Sequence, residues 1–183
     1  MATEHTQIGS VLITEEQIRQ RAKEIGEQIT KDFEGEKVII IGTLKGSVPW
    51  MAELIKHIDL DCVLDFMIAS SYGSSTVSSG VVKFSLEPKE NLYNQNVIIV
   101  EDIIDTGNTL SYILKKFEER GPKCIKICTM LNKESRRVAD IHGDYVGFEV
   151  EDLFVIGYGL DFDQKFRNLP YVSYLNEEDI EKL

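Results

Sequence analysis

The chain has 183 residues, enough for one hydrophobic core and short for two. Hydrophobic residues make up 43% of it and the formal net charge is −11, so a folded globular protein is expected and a basic nucleic-acid-binding or membrane-binding surface is not. A polyanionic ligand would meet a repulsive field here and would need local help from backbone N–H groups, one or two placed cations and a metal ion.

The opening MATEHTQIGS has neither a basic segment nor an apolar one of the secretory kind, and the apolar runs, such as Val38–Ile41 and Val97–Val100, are strand-sized. The cytoplasm is the expected location. After a short apolar segment, Ile8–Ile13, the run Thr14-Glu15-Glu16-Gln17 has the form of a capping box. Ile18, Ala22, Ile25, Ile29 and Phe33 then recur at helical spacing, and Gly35 closes the helix. A continuous apolar strand, Val38–Ile41, leads into the turn 42–47 and a short helix through Met51 and Ile55.

Cys62–Ala69 reads as a strand, 70–80 as a polar, glycine-bearing loop, and Val81–Leu86 as strand-like. Val97–Glu101 has the pattern of a fully buried strand, and Thr106–Arg120 that of an amphipathic helix stopped by Gly121-Pro122. Further strands are expected at Cys124–Leu131, Tyr145–Phe148 and Leu153–Ile156, before a C-terminal tail. Cys124 and Cys128 share a strand, where four residues span about 13 Å, too far for a disulfide, so buried reduced thiols are expected. The three histidines form no constellation.

Apolar strands alternating with helices define an α/β fold with a central, mainly parallel sheet flanked by helices. Ligands in such folds sit beyond the carboxyl ends of the strands. The loops 42–47, 101–109, 131–133 and 157–161 all follow expected strands and so are candidates for one shared edge.

Among them, Glu101-Asp102-Ile103-Ile104-Asp105-Thr106-Gly107-Asn108-Thr109 is the most informative. An apolar strand delivers two adjacent acids, and a turn of small and hydroxylated residues then enters a helix. Successive N–H groups from Thr106 to Thr109 suit an anion, and the acids suit sugar hydroxyls. A capped strand–helix turn with solvated acids fits the same residues.

This segment closely resembles the signature of type I phosphoribosyltransferases, and its Ile-Ile between the acids and Asp105 resembles the hypoxanthine–guanine branch. The resemblance extends over nearly the whole chain. It implies one domain over residues 1–183, with a small hood formed by terminal segments above the active site. It also implies Mg²⁺-dependent transfer of the 5-phosphoribosyl group from phosphoribosyl pyrophosphate to N9 of a 6-oxopurine, a purine-salvage reaction. Glu101, Asp102, Asp105, Thr106, Gly107, Asn108 and Thr109 would bind the phosphoribosyl group, with Asp105 as the catalytic base that takes the N7 proton.

By the same resemblance, Lys45, Gly46 and Arg167 would face pyrophosphate, with a cis peptide between Leu44 and Lys45. Ser71 and Tyr72 would open a lid that keeps water from the reacting centre. Lys133 would meet O6 of the base, Phe154 would stack on the purine, and the Val155 backbone would meet its pyrimidine edge. Asp161 would hold Mg²⁺, with Glu101 and Asp102 nearby as further metal contacts. Homodimers or homotetramers are implied, and neither nucleic acid nor membrane is an expected partner.

One departure is Asn108, at a position where some family members carry lysine or tyrosine. Gly157-x-Gly159 lacks the third glycine of a dinucleotide site, where Phe162 stands instead. Lys133 and Phe154 weigh against adenine and pyrimidines as the base, while xanthine stays open. A regulatory protein sensing phosphoribosyl pyrophosphate is the rival from another class; the −11 charge and the presence of Lys45, Asp105 and Asp161 favour an enzyme.

Overall fold

The structure, a computed structural model, describes residues 9–71 and 82–181. The first strand, β1 (Ser10–Ile13), runs into helix α1 (Glu15–Asp32), which begins at the capping box read from the sequence. Thr14 Oγ1 accepts from Gln17 N at 3.2 Å and Gln17 Oε1 accepts from Thr14 N at 2.9 Å, so two otherwise orphaned donors are satisfied reciprocally. The apolar face of α1 (Ile18, Ala22, Ile25, Ile29) is buried. Gly26 lets the short turn at Ile55–His57 approach closely, since a Cβ there would stand 2.6 Å from that of His57.

Strand β2 (Val38–Thr43) is followed by α2 (Val48–Leu54), then β3 (Cys62–Ser71) and β4 (Val82–Leu86). Next come β5 (Asn96–Ile104), α3 (Asn108–Glu118), β6 (Cys124–Asn132), β7 (Tyr145–Glu149), β8 (Phe154–Ile156), β9 (Val172–Leu175) and α4 (Glu177–Glu181). The main sheet has the order β4-β3-β2-β5-β6-β7, parallel throughout except for the β3/β4 pair. The fold class is thus the one read from the sequence.

The central strands β2 and β5 show why continuous apolar runs belong in such a sheet. Successive side chains alternate between faces. Val38, Ile40, Ile98 and Val100 join the core beneath α1 and α2, whereas Ile39, Ile41, Val97 and Ile99 join a second core beneath α3. Each fully buried Ile or Val is worth about 1.5–3 kcal/mol in removed apolar surface. Cys128 is buried in the first core, and none of the three cysteines is paired.

Three sequence expectations are corrected. β5 continues three residues beyond Glu101, and α3 begins at Asn108 rather than Thr106, because Gly107 takes a left-handed φ of 78° that breaks the helix just before its first turn. β8 leaves the parallel sheet and pairs antiparallel with β9, which also pairs with β1, giving a separate sheet of order β1-β9-β8. The stretch expected as a tail therefore carries a strand and a short helix. Ile13, Val155 and Val172 sink this small sheet into the same core as Val38 and Trp50.

Candidate active site

Two neighbouring cavities lie at the carboxyl ends of β2, β5 and β6, and the small sheet reaches the larger of them. One, of about 230 Å³, is lined by Thr43, Glu101, Thr106, Gly107 and Thr109 among others. The other, of about 430 Å³, is lined by Lys133, Arg136, Asp152, Phe154, Val155 and Asp161 among others. Ile103 and Asp105 line both, so the Asp105 carboxylate stands at the partition. Asp105 Oδ1 accepts no hydrogen bond and lies 3.4 Å from Arg136 Nε.

The two adjacent acids part ways. Glu101 continues the alternation of Val97 and Ile99 toward the α3 face, where its Oε1 accepts from Thr43 Oγ1 at 2.9 Å. Burial, reinforced by the Asp102 charge, pushes its carboxyl up to about 8 against the Thr43 hydrogen bond. Asp102 faces the other side, under Gly46, and burial raises its carboxyl too; the Ile103 N–H (2.9 Å) and the Arg167 charge oppose that rise.

The turn after β5 presents the first amides of α3 at the smaller cavity. Gly107 is the N-cap and offers no side chain to cap these N–H groups. Asn108 is exposed, and its N–H reaches only Thr106 Oγ1 at 3.5 Å.

Around Asp102 the 44–47 loop packs tightly. The Leu44–Lys45 peptide is cis. Gly46 rests on Asp102 and is itself covered by Gly159, whose φ of 103° and lack of a Cβ permit the contact. Lys45 Nζ donates to Gln164 Oε1 at 3.2 Å, and Arg167 Nη2 reaches the same oxygen at 3.4 Å. Arg167 also pairs with Asp161 at 2.6 Å and donates to Gly159 O at 2.7 Å. Arg167 is therefore an integrated cation rather than a loose surface charge.

Lys133 is likewise not a solvated charge. It is 6% exposed, and its ammonium donates to Leu153 O at 2.8 Å with Asp152 at 3.7 Å. Phe154, by contrast, is 45% exposed at the cavity, steadied edge-on by Phe162 at 5.7 Å. An exposed aromatic face beside a buried cation suits a flat heterocycle carrying an oxo group. Ser71 ends β3, and Tyr72 lies outside the described residues.

Among the described residues no three His, Cys, Asp or Glu side chains gather into a metal cage. Asp161, paired with Arg167, and Asp102, which feels the charges of both, are nonetheless hard oxygen donors. That donor chemistry fits a Mg²⁺ ion, which takes one or two carboxylates and fills its shell with water and substrate oxygens.

Sequence reasoning missed Thr43, Arg136, Arg137, Asp152 and Gln164. The Arg136-Arg137 pair, three residues beyond Lys133, was the visible signal, a local cationic cluster in an acidic chain.

The chain belongs to the family described by the phosphoribosyl transferase domain, which matches residues 12–163. Its relatives include the hypoxanthine-guanine phosphoribosyltransferase of Bacillus subtilis, 51% identical over 168 residues that cover 92% of this chain and 93% of that protein. The protein of the same name from Streptococcus thermophilus is 48% identical over 171 residues, 93% of this chain and 95% of the relative. Among solved structures, a hypoxanthine phosphoribosyltransferase from Staphylococcus aureus superposes with a TM-score of 0.92 at 42% identity, covering 97% of this chain and 96% of that one.

Proposed function

We propose that this protein catalyses Mg²⁺-dependent transfer of the 5-phosphoribosyl group from phosphoribosyl pyrophosphate to N9 of hypoxanthine, and of guanine, as part of purine salvage. The observation that carries this reading is the position of Asp105, which lines both the cavity of Thr106, Gly107 and Thr109 and the cavity of Lys133 and Phe154. A group there reaches both the ribose side and the base side. The relatives' names support the substrate class.

In this reading the amides and hydroxyls of Thr106, Gly107, Asn108 and Thr109 hold the 5-phosphate, and Glu101 and Asp102 orient the ribose. The base lies on Phe154 with O6 toward Lys133 and its pyrimidine edge toward the Val155 backbone. As the N9–C1′ bond forms, the C1′–oxygen bond to pyrophosphate breaks and Asp105 accepts the N7 proton. Lys45, the Gly46 amide and Arg167 receive the leaving charge. Asp161 and Asp102 would hold Mg²⁺, with Glu101 behind them; bound there, the ion supplies positive charge for the pyrophosphate oxygens.

Ser71 and Tyr72 open the lid, and the small β1-β9-β8 sheet serves as the hood of a single domain. A homodimer or homotetramer in the cytoplasm completes the reading. The test is a product assay with phosphoribosyl pyrophosphate, Mg²⁺ and each of hypoxanthine, guanine, xanthine and adenine. IMP and GMP are expected; no nucleotide from any base overturns the reading.

A further inference from the structure

The phosphate turn is held from beneath by one side chain. Arg137 Nε donates to Asp105 O at 3.0 Å, Nη2 donates to Ile104 O at 3.2 Å and to Asn132 Oδ1 at 2.6 Å, and Nη1 donates to Ile141 O. Four of the five donors of the guanidinium are thus committed to neutral oxygens, three of them main-chain carbonyls. Among the described residues no carboxylate is an ion-pair partner of Arg137, unlike its neighbour Arg136, which approaches Asp105 and Asp152.

Peptide geometry turns these bonds into an orientation device. A trans peptide is planar, with its C=O and N–H on opposite sides. With the Ile104 and Asp105 carbonyls drawn toward Arg137, the N–H groups of Asp105 and Thr106 face away from it. The next carbonyl, of Thr106, accepts from both Val138 N and Ala139 N at 3.0 Å, which sets the Gly107 N–H the same way. Three successive carbonyls are therefore anchored on the 137–139 segment, the Ile104 carbonyl also by Lys133 N at 3.0 Å, and Asp105, Thr106 and Gly107, which carry the N–H groups of the same three peptides, line the smaller cavity. The contact is close: a Cβ on Gly107 would stand 3.1 Å from Arg137 Cδ and 3.4 Å from Ala139 Cβ. Behind the guanidinium, Asn132 is held by Glu149 through two bonds of 3.0 and 2.9 Å.

We propose that Arg137 is a positioning residue for the phosphoribosyl substrate, fixing the amides of the 105–107 turn into an anion cradle while placing a positive charge beneath it. This answers the electrostatic difficulty of a chain with net charge −11. The cation under the cradle keeps its charge available to the ligand because its own partners are neutral. It acts through the backbone and touches no reacting atom.

The inference rests on the proposed function, so its test has an arm that needs no turnover. Arg137→Lys keeps the charge but loses the planar fork; Arg137→Gln loses both. The KM for phosphoribosyl pyrophosphate is expected to rise about 10-fold in the Lys variant and about 100-fold in the Gln variant, with the KM for hypoxanthine changed less than about 3-fold. Hydrogen–deuterium exchange at 103–108 should be faster in both variants without ligand, while exchange in β2 and β3 stays as in the parent.

Full rescue by Lys, or equal losses for both substrates, overturns the proposal. So does exchange at 103–108 that matches the parent protein, or a Gln variant without a cooperative thermal transition, which would make Arg137 a general structural residue. If the parent protein makes no nucleotide at all, the functional reading fails, and the exchange arm still decides whether Arg137 sets the turn.

Discussion

The backbone of Gly46 lies directly against the carboxylate of Asp102: a Cβ added to Gly46 would stand 1.6 Å from Asp102 Oδ2 and 2.5 Å from its Cγ. Gly159 also packs against this loop, since its own added Cβ would meet Gly46 O at 1.9 Å. The 44–47 loop and Asp102 of β5 are thus one tightly fitted unit. Gly46→Ala should lower kcat/KM for phosphoribosyl pyrophosphate by about 100-fold, the scale of a 1 Å displacement of a positioned group. Steady-state kinetics on the folded variant check this, and near-parental kcat/KM would show that the loop can shift without penalty.

Asp105→Asn removes the proposed proton acceptor while keeping size and polarity at the partition between the two cavities. A loss of about 10²–10⁴-fold in kcat is expected, with the KM for phosphoribosyl pyrophosphate within a few-fold of the parent. Turnover at the parental rate would remove Asp105 from the chemistry.

The proposed function gives Lys133 two duties, because it lines the larger cavity while its ammonium is bonded to Leu153 O at 2.8 Å. Lys133→Ala should therefore raise the KM for hypoxanthine and also lower Tm, whereas a pure base-binding lysine would leave Tm untouched. The loss of a buried charged hydrogen bond is worth about 1.5–3 kcal/mol. Thermal unfolding and the base KM, measured together, separate the two duties.

Glu101 gives a pH prediction with a definite sign. Its carboxyl titrates near 4.5 when unfolded and is pushed up to about 8 by burial and by Asp102. Between those values the folded state holds a proton that the unfolded chain has released. Its contribution therefore falls as pH rises through this window, and the loss is complete above the folded value. Glu101→Gln cannot lose that proton, so metal-free Gln variant should gain stability over the parent as pH rises from 5 to 8.5. Urea midpoints at several pH values test this; parallel curves for the two proteins would mean that Glu101 is ionised when folded.

The sequence was readable where local chemistry and function coincide. Thr14 and Gln17 announce the start of α1, and the run from Val97 to Thr109 announces both a buried strand and the turn beyond it. What escaped was set by distant partners. β9 is a four-residue strand whose neighbours, β1 and β8, come from opposite ends of the chain, so no local period marks it. Arg137 and Gln164 look like ordinary surface residues in the sequence, and only the folded chain brings one under the 105–107 turn and the other between Lys45 and Arg167. The fates of Lys133 and Arg167 follow the same rule: their positions were legible, but their burial and bonding were not.

The alternation along β5 has a consequence for how such a site can change. Ile98 and Val100 lock one face of the strand into the core under α1 and α2, and Val97 and Ile99 lock the other under α3. That parity alone sends Glu101 to Thr43 and Asp102 to Gly46. A one-residue insertion or deletion within 97–100 would swap the two acids between faces without altering either of them. The apolar half of the strand thus acts as an address for the acidic half, and the spacing from core to carboxylate fixes which face each acid reaches.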